Sequence, residues 1–317
     1  VHFYKAARKH GLKPSLGCDI YVTPGDHRKR EREEGGKQAN HLVLLADGET
    51  GFSNLMKLVS KAHLDGFYYK PRIDRPLLAQ HREGLIGLSA CLKGEVAEAL
   101  LNGLDDKAQR LAGEYAEILG KDRFYLEVQD HGLKDQAGVN RKLVALARKL
   151  KLPLVATNDV HYLEAGHVEP HEMLLCLQTQ AKWSEADRMK YGSDQFYLKS
   201  EAEMRKLFGE LPEALENTWK IAERCNVELA LDGQKNPHFP NYKCPDGLSH
   251  KQYLTQIAEA GIRRLYGVAD LQHPRDDREK SIAARLYYEL GVIEKTGFLN
   301  YFLVVWDFIH AAKQMGR

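Results

Sequence analysis

The chain has 317 residues, of which 43% are hydrophobic and 28% charged, proportions that are ordinary for a soluble globular protein. Its formal net charge of +2 is too small to indicate nucleic-acid binding by itself. The five cysteines are scattered without a CxxC motif, which favours reduced thiols in a cytoplasmic protein over a disulfide framework. No apolar run reaches the roughly 20 residues that span a bilayer, so we expect no membrane segment.

Helical and extended patterns alternate over the first 180 residues or so. The opening helix is predicted to stop at Gly11, with Pro14 just beyond it. Strands alternating with helices of about a dozen residues favour βαβ units around a parallel sheet. The pattern predicts helices over 1–10, 51–64, 94–101, 107–119 and 139–150, and strands over 15–23, 41–46, 84–91, 123–129 and 152–159.

Two segments interrupt this alternation. The mixed-charge segment 26–36 is interpreted as a solvated loop, with a DNA-contacting loop as the alternative. The stretch from Asp232 to Gly247 is rich in Pro, Gly and Asn and indicates a domain boundary, so we expect domains over 1–230 and 231–317. The remainder is predicted to be mainly helical. Because the chain begins inside a predicted helix and stops at Arg317, we interpret it as a piece of a longer protein.

The segment LPLVATNDVHYL, residues 152–163, draws attention to a possible site. Its apolar start is typical of a buried strand, and Asp159 and His161 follow where the chain leaves the core. In an extended segment, side chains two positions apart point to the same face. Active sites of α/β proteins gather at the carboxyl ends of strands, which is where this pair is expected to lie.

Three further metal-binding residue types occur in predicted strands: Asp19, His41 and Cys91. Carboxylate, imidazole and thiolate together suit zinc or a similar ion. Each residue also has a structural explanation, since acids and histidines cap strands and free cysteine is often buried. His41 begins its strand, so in a strictly parallel sheet it would lie at the wrong edge unless that strand runs antiparallel.

Several long motifs in series resemble the amino-terminal part of the bacterial DNA polymerase III alpha subunit family. They are FYKAARKHGLKPSLGCDIYVTPG, HLVLLADGETGFSNLMKLVSKAHLDGFYYKPRID, GLIGLSACLKGEV, FYLEVQDHG and LPLVATNDVHYL, while TGFLNYFLVVWDFIHAAKQMG resembles the entry into the polymerase palm. The resemblance implies a PHP (polymerase and histidinol phosphatase) domain, a distorted β/α barrel, here without its first strands. It is followed by a mainly helical start of the polymerase core.

The resemblance also implies a ligand set. The metal-binding positions of the family fall on Asp19, His41, Cys91, Asp159 and His161, with Asp19 where most members have a glutamate that bridges two metals. Zn²⁺ or similar ions are implied there. The parent polymerase would use Mg²⁺, primer-template DNA and deoxynucleotides, with its catalytic carboxylates outside this chain. A proofreading exonuclease subunit and a sliding clamp are implied as partners.

Three functional hypotheses follow. The PHP domain of a replicative polymerase can be a metal-dependent 3′–5′ proofreading phosphodiesterase, or a non-catalytic scaffold for a separate exonuclease. The third hypothesis is a free-standing PHP phosphatase, which has no need of the helical continuation after Asp232. Five ligand-type residues favour metal binding over a pure scaffold.

Overall fold

A computed structural model describes residues 1–30, 39–229, 231 and 240–316. The chain divides into two compact units, residues 1–229 and 230–317. Much of the mixed-charge segment 26–36, and the first half of the Pro- and Gly-rich segment that begins at Asp232, lie outside the described residues. The fold is mixed α/β, as the sequence predicts.

The first unit is built on a seven-stranded sheet with the strand order β3-β4-β1-β2-β5-β6-β7. Strands β1, β4, β5, β6 and β7 run in one direction. β1 pairs in parallel with β4, β6 pairs in parallel with both β5 and β7, and β2 between β1 and β5 is antiparallel to both. The strands are β1 Gly17–Val22, β2 Asn40–Ala46, β3 Phe67–Tyr68, β4 Lys70–Ile73, β5 Leu85–Leu88, β6 Phe124–Val128 and β7 Leu154–Ala156.

The predicted parallel arrangement is interrupted at β2, where the antiparallel alternative posed for His41 holds. This strand pairs antiparallel with β1 on one side and with β5 on the other, so that Asp19 lies opposite Val43 and Val43 lies opposite Leu88. The amino-terminal end of β2 therefore lies at the edge where β5, β6 and β7 end. His41 reaches the expected edge of the sheet by this reversal.

Helices cover the outer face of the sheet and form the larger core. The alternating burial of β2 sends Leu42 and Leu44 into this core, where they pack with residues such as Leu58 of α2 and Phe124 of β6. The helices of this unit are α1 His2–Lys9, α2 Glu49–Leu64, α3 Arg75–Gln80, α4 Glu95–Leu101, α5 Asp105–Leu119, α6 Gln136–Leu150, α7 Val168–Thr179, α8 Glu201–Phe208 and α9 Pro212–Arg224. The sequence analysis missed two strands, β3 and β4, and four helices, α3, α7, α8 and α9.

The second unit is helical in its described part, as predicted. Its helices are α10 His250–Tyr266, α11 Asp277–Lys295 and α12 Leu299–Gln314. A small core forms around Val268, Leu271 and Ala283. Ser249 and Gln252 form a reciprocal capping box at the start of α10, which satisfies two backbone N–H groups of the first turn.

The first turn of α2 packs against the turn before β5 at a distance that only glycine permits. A Cβ atom added to Gly51 would lie 1.9 Å from the carbonyl oxygen of Gly84. Gly84 has φ +72°, a conformation that other residues rarely adopt, so this turn cannot easily move aside. The contact fixes how close α2 lies to the sheet.

We expect Gly51→Ala to destabilise the protein by about 1–3 kcal/mol, because backbone must shift to admit the new methyl group. Gly113→Ala is the matched control, since Gly113 also lies inside a helix and has open space around its Cβ position. Alanine is the better helix former, so this variant should melt at the same temperature or slightly higher. Equal melting temperatures for the two variants would contradict the close contact.

Candidate metal centre

A cavity of about 520 Å³ opens at the edge where β5, β6 and β7 end. Its wall is the inner face of the sheet, opposite the helical layer. Further from this edge the same face is apolar and carries a second core cluster with Leu88, Tyr125 and Val155, closed by Ile221 of α9. All five sequence-predicted ligands line the cavity: Asp19, His41, Cys91, Asp159 and His161.

Asp19 and His41 form one acid–histidine pair across β1 and β2. Oδ2 of Asp19 lies 2.7 Å from Nδ1 of His41, and a carboxylate only accepts, so the imidazole donates. Tyr21, directly opposite His41 in the ladder, packs edge-on against its ring at 5.0 Å between centroids. This arrangement fixes the ring and leaves Nε2 of His41 as the nitrogen available to a ligand.

Cys91 is brought to His41 by the loop that follows β5. The backbone N–H of His41 donates to the carbonyl oxygen of Lys93 at 3.1 Å, which holds the loop against the start of β2. Ala90 has φ +63°, a left-handed conformation that is unfavourable for a residue with a Cβ. Burial raises the pKa of the Cys91 thiol, and the negative charge of Asp159 adds to the effect. Without a cation the group is a thiol at neutral pH.

Asp159 and His161 form the second acid–histidine pair, with 3.5 Å between Oδ1 and Nε2. The prediction that an extended segment aligns them is wrong: β7 ends at Ala156, and Asp159 has φ +41°. The left-handed turn brings the two side chains into contact. The backbone N–H of His161 donates to the Phe196 carbonyl oxygen at 2.8 Å and holds the turn in place. His161 lowers the pKa of Asp159, which keeps this carboxylate charged.

Of the polar residues of the cavity wall that the sequence analysis missed, four lie on β6 and β7 or shortly after them. Glu127 and Gln129 alternate with core residues along and just beyond β6, while Thr157 follows β7. The alternation Tyr125, Glu127, Gln129 is visible in the sequence and could have placed them on the inner face. The fourth is His131, whose position after β6 carries no comparable signal.

His131 is excluded as a ligand by its contacts. Its Nδ1 accepts from the Gln136 amide at 2.8 Å, and its Nε2 donates to the Asn158 carbonyl oxygen at 2.8 Å. Burial lowers its pKa, and its ring stacks on Phe196 with centroids 4.0 Å apart. Both nitrogens are used, so this histidine supports the loop that carries Asp159.

The five predicted ligands surround the cavity without forming a tight cluster. Within the described ranges, the one group that places three donor atoms within 4.8 Å of one another is Asp26, His27 and Asp74. That group has other partners: Asp74 Oδ1 caps α3 through the N–H of Leu77, and Asp26 pairs with Arg28 at 2.8 Å. It is therefore a structural contact that ties a loop to α3.

The chemistry of the cavity donors nevertheless suits a borderline divalent ion. Two imidazoles, two carboxylates and one thiol are the donor types that zinc prefers, and all of them face the same space. The left-handed backbone at Ala90 and Asp159 is strain next to candidate ligands, which is common at functional sites. The residues fit a metal by donor type.

Among the described residues, none of the helices combines the length and apolar character that a membrane-spanning segment requires. Comparison with known proteins identifies two matches to family models. Residues 1–131 match the PHP domain, and residues 252–317 match the bacterial DNA polymerase III alpha NTPase domain.

Curated relatives match along nearly the whole chain. The DNA polymerase III subunit alpha of Treponema pallidum is 42% identical over 99% of this chain and 26% of its own length. The subunits of Borreliella burgdorferi and Thermus aquaticus are 39% and 34% identical over 98% and 100% of this chain, and over 26% and 30% of their own lengths. This chain thus spans little more than a quarter of these relatives. It belongs to the bacterial DNA polymerase III alpha subunit family.

Proposed function

We propose that the chain is part of a DNA-directed DNA polymerase, a cytoplasmic nucleotidyltransferase of chromosomal replication, and that its cavity is a metal-dependent 3′–5′ phosphodiesterase site. The near-complete match to polymerase alpha subunits supports the first part. The second part rests on one observation, the two acid–histidine pairs and Cys91 on a single cavity. Nucleotide addition, with Mg²⁺, primer-template DNA and deoxynucleotides, is assigned to carboxylates outside this segment.

In this proposal the metal is Zn²⁺ or a similar ion, held by His41, Cys91, Asp159 and His161, with Asp19 as the remaining candidate ligand. When bound, such ions polarise a phosphoryl group and lower the pKa of water. The residues of the chain fix the donors: the Asp19 carboxylate orients His41, and the turn at Asp159 sets that carboxylate against His161. The 3′ end of a DNA strand is the proposed substrate.

A non-catalytic scaffold is the second candidate function. It is favoured by the hydrogen bond between Asp19 and His41, which gives each side chain a partner without a metal. In this alternative the residues 1–229 support the polymerase and bind a separate proofreading exonuclease. That exonuclease and a sliding clamp are proposed partners in either case. The assignment of residues 231–317 to the start of the polymerase palm is likewise a proposal.

Asp159→Asn and His161→Ala, each made in the full-length polymerase, should remove excision and leave primer extension intact. Asparagine keeps the shape of Asp159 but removes the charge that attracts a cation, and losses around metal ligands commonly cost about 10–100-fold in affinity or activity. The measurements are extension of a matched primer and removal of a mismatched 3′ nucleotide, with any partner exonuclease excluded.

Asp106→Asn is the control for this experiment, because Asp106 is an exposed carboxylate in the first turn of α5 and does not line the cavity. It should excise at the unaltered rate. If the unaltered polymerase shows no metal-dependent excision, the phosphodiesterase proposal is wrong and the scaffold explains the chain better.

Zinc binding should release a proton from Cys91. The thiol is protonated at pH 7 because burial raises its pKa, and zinc binds the thiolate. Calorimetric titration of the 317-residue chain in two buffers of different ionisation enthalpy counts the protons released. We expect about one proton fewer for Cys91→Ser than for the unaltered chain.

Cys176→Ser is the control for the titration, since Cys176 does not line this cavity. It should release as many protons as the unaltered chain. An unchanged proton count in Cys91→Ser would remove Cys91 from the proposed ligand set.

A further inference from the structure

Two buried oxygen atoms on the cavity wall accept no hydrogen bond. They are Oε2 of Glu127 and Oε1 of Gln129, and their residues are only 5% and 6% exposed. Both residues line the cavity. Buried acceptors without a donor are rare in folded proteins, because the lost hydration is not replaced. Neither residue belongs to the proposed zinc ligands.

The nearest side-chain donors are already used by the other oxygen of Glu127, Oε1. The amide nitrogen of Gln129 donates to Glu127 Oε1 at 2.9 Å, and the hydroxyl of Thr157 donates to the same oxygen. This fixes the orientation of the Gln129 amide, since the flipped amide would set its oxygen against a carboxylate oxygen. Glu127 Oε2 and Gln129 Oε1, on two side chains that contact each other, are therefore left as acceptors without a side-chain donor.

The charge that acts on Glu127 most directly is the negative charge of Asp159. The contacts of Glu127 are with neutral groups. Its carboxylate meets Gln129, Thr157 and the backbone N–H of Ala90, and its own backbone N–H donates to the Ser89 hydroxyl. Burial raises the pKa of Glu127, and the charge of Asp159 raises it further. A carboxylate removed from water needs a compensating charge or a proton. A water molecule could satisfy both oxygens but would supply no charge.

We propose that Glu127 Oε2 and Gln129 Oε1 form an oxygen-only subsite for a hard divalent cation, Mg²⁺ or Mn²⁺, within the same cavity. A carboxylate and an amide oxygen are the donors such ions prefer, whereas imidazole and thiolate suit zinc. The subsite would hold a second cation of a different class beside the zinc ligands. The role of this second cation in catalysis rests on the proposed phosphodiesterase function. The binding of the cation to Glu127 and Gln129 does not depend on that function.

The test is a titration of the 317-residue chain with Mn²⁺ after saturation with Zn²⁺. The electron paramagnetic resonance signal of free Mn²⁺ measures how much Mn²⁺ remains unbound. We expect the unaltered chain to bind Mn²⁺ and Glu127→Gln to bind it at least about 10-fold more weakly. Glu95→Gln is the control: Glu95 is also a buried carboxylate, but it pairs with Arg75 at 2.8 Å and does not line the cavity. It should bind Mn²⁺ as the unaltered chain does.

Thermal melting separates lost binding from lost folding. Added Mn²⁺ should raise the Tm of the unaltered chain and of Glu95→Gln, because a ligand of the folded state stabilises it by mass action. Glu127→Gln should melt cooperatively with no such rise. The proposal is overturned if Mn²⁺ binds Glu127→Gln as tightly as the unaltered chain. It is also overturned if the unaltered chain binds no Mn²⁺, in which case a proton on Glu127 replaces the cation.

The two proposals can fail separately. His161→Ala removes a zinc ligand without touching the oxygen pair, so it should lose excision in the full-length polymerase and keep Mn²⁺ binding in the 317-residue chain. If the polymerase shows no excision while Glu127-dependent Mn²⁺ binding persists, the phosphodiesterase function is wrong and the cation subsite stands. Loss of Mn²⁺ binding in His161→Ala would contradict a separate oxygen subsite.

Discussion

The reversed strand β2 is the constraint on which the cavity depends. Its antiparallel pairing with β1 and β5 brings the first residues of one strand to the edge where the parallel strands end. Because side chains alternate along a strand, the face that carries His41 also carries Val43 and Leu45, which pack into the inner apolar cluster. One strand thus anchors the inner core and presents an imidazole to the cavity. A parallel β2 would place His41 at the opposite edge.

The inner face of the sheet changes from apolar to polar over a few residues. Tyr125 and Val155 lie in the second core cluster, and the next inward-facing positions are Glu127 and Thr157. Polar groups at this depth lose hydration, and an unmet hydrogen bond costs about 1–3 kcal/mol. The left-handed residues Ala90 and Asp159 add conformational strain of about 1–3 kcal/mol each. The larger outer core must offset these costs, which is consistent with a cavity kept for function rather than for stability.

The parts of the fold that the sequence could predict are those set by local patterns. The apolar run at 154–156 forms a buried strand, and Gly11, with φ +70°, follows the end of α1 as expected. The two-residue strand β3 and the proline-containing β4 have no such pattern. The direction in which two strands pair depends on residues far apart in the sequence. The sequence could therefore state only that His41 reaches the site if its strand runs antiparallel. The left-handed turn at Asp159 was also hidden, because asparagine and aspartate tolerate that conformation without requiring it.

Asp19 shows how the loss of one methylene can change the role of a carboxylate at a metal site. By the family resemblance a glutamate that bridges two metals is usual at this position, and aspartate is one methylene shorter. In this chain its carboxylate reaches the Nδ1 of His41 at 2.7 Å. A carboxylate behind a metal-binding histidine fixes the ring orientation and tautomer, and raises the basicity of the other nitrogen. On the proposed zinc site, Asp19 would then position His41, and a carboxylate for a second cation would have to come from elsewhere on the wall. Glu127 is the buried carboxylate of that wall whose second oxygen lacks a partner.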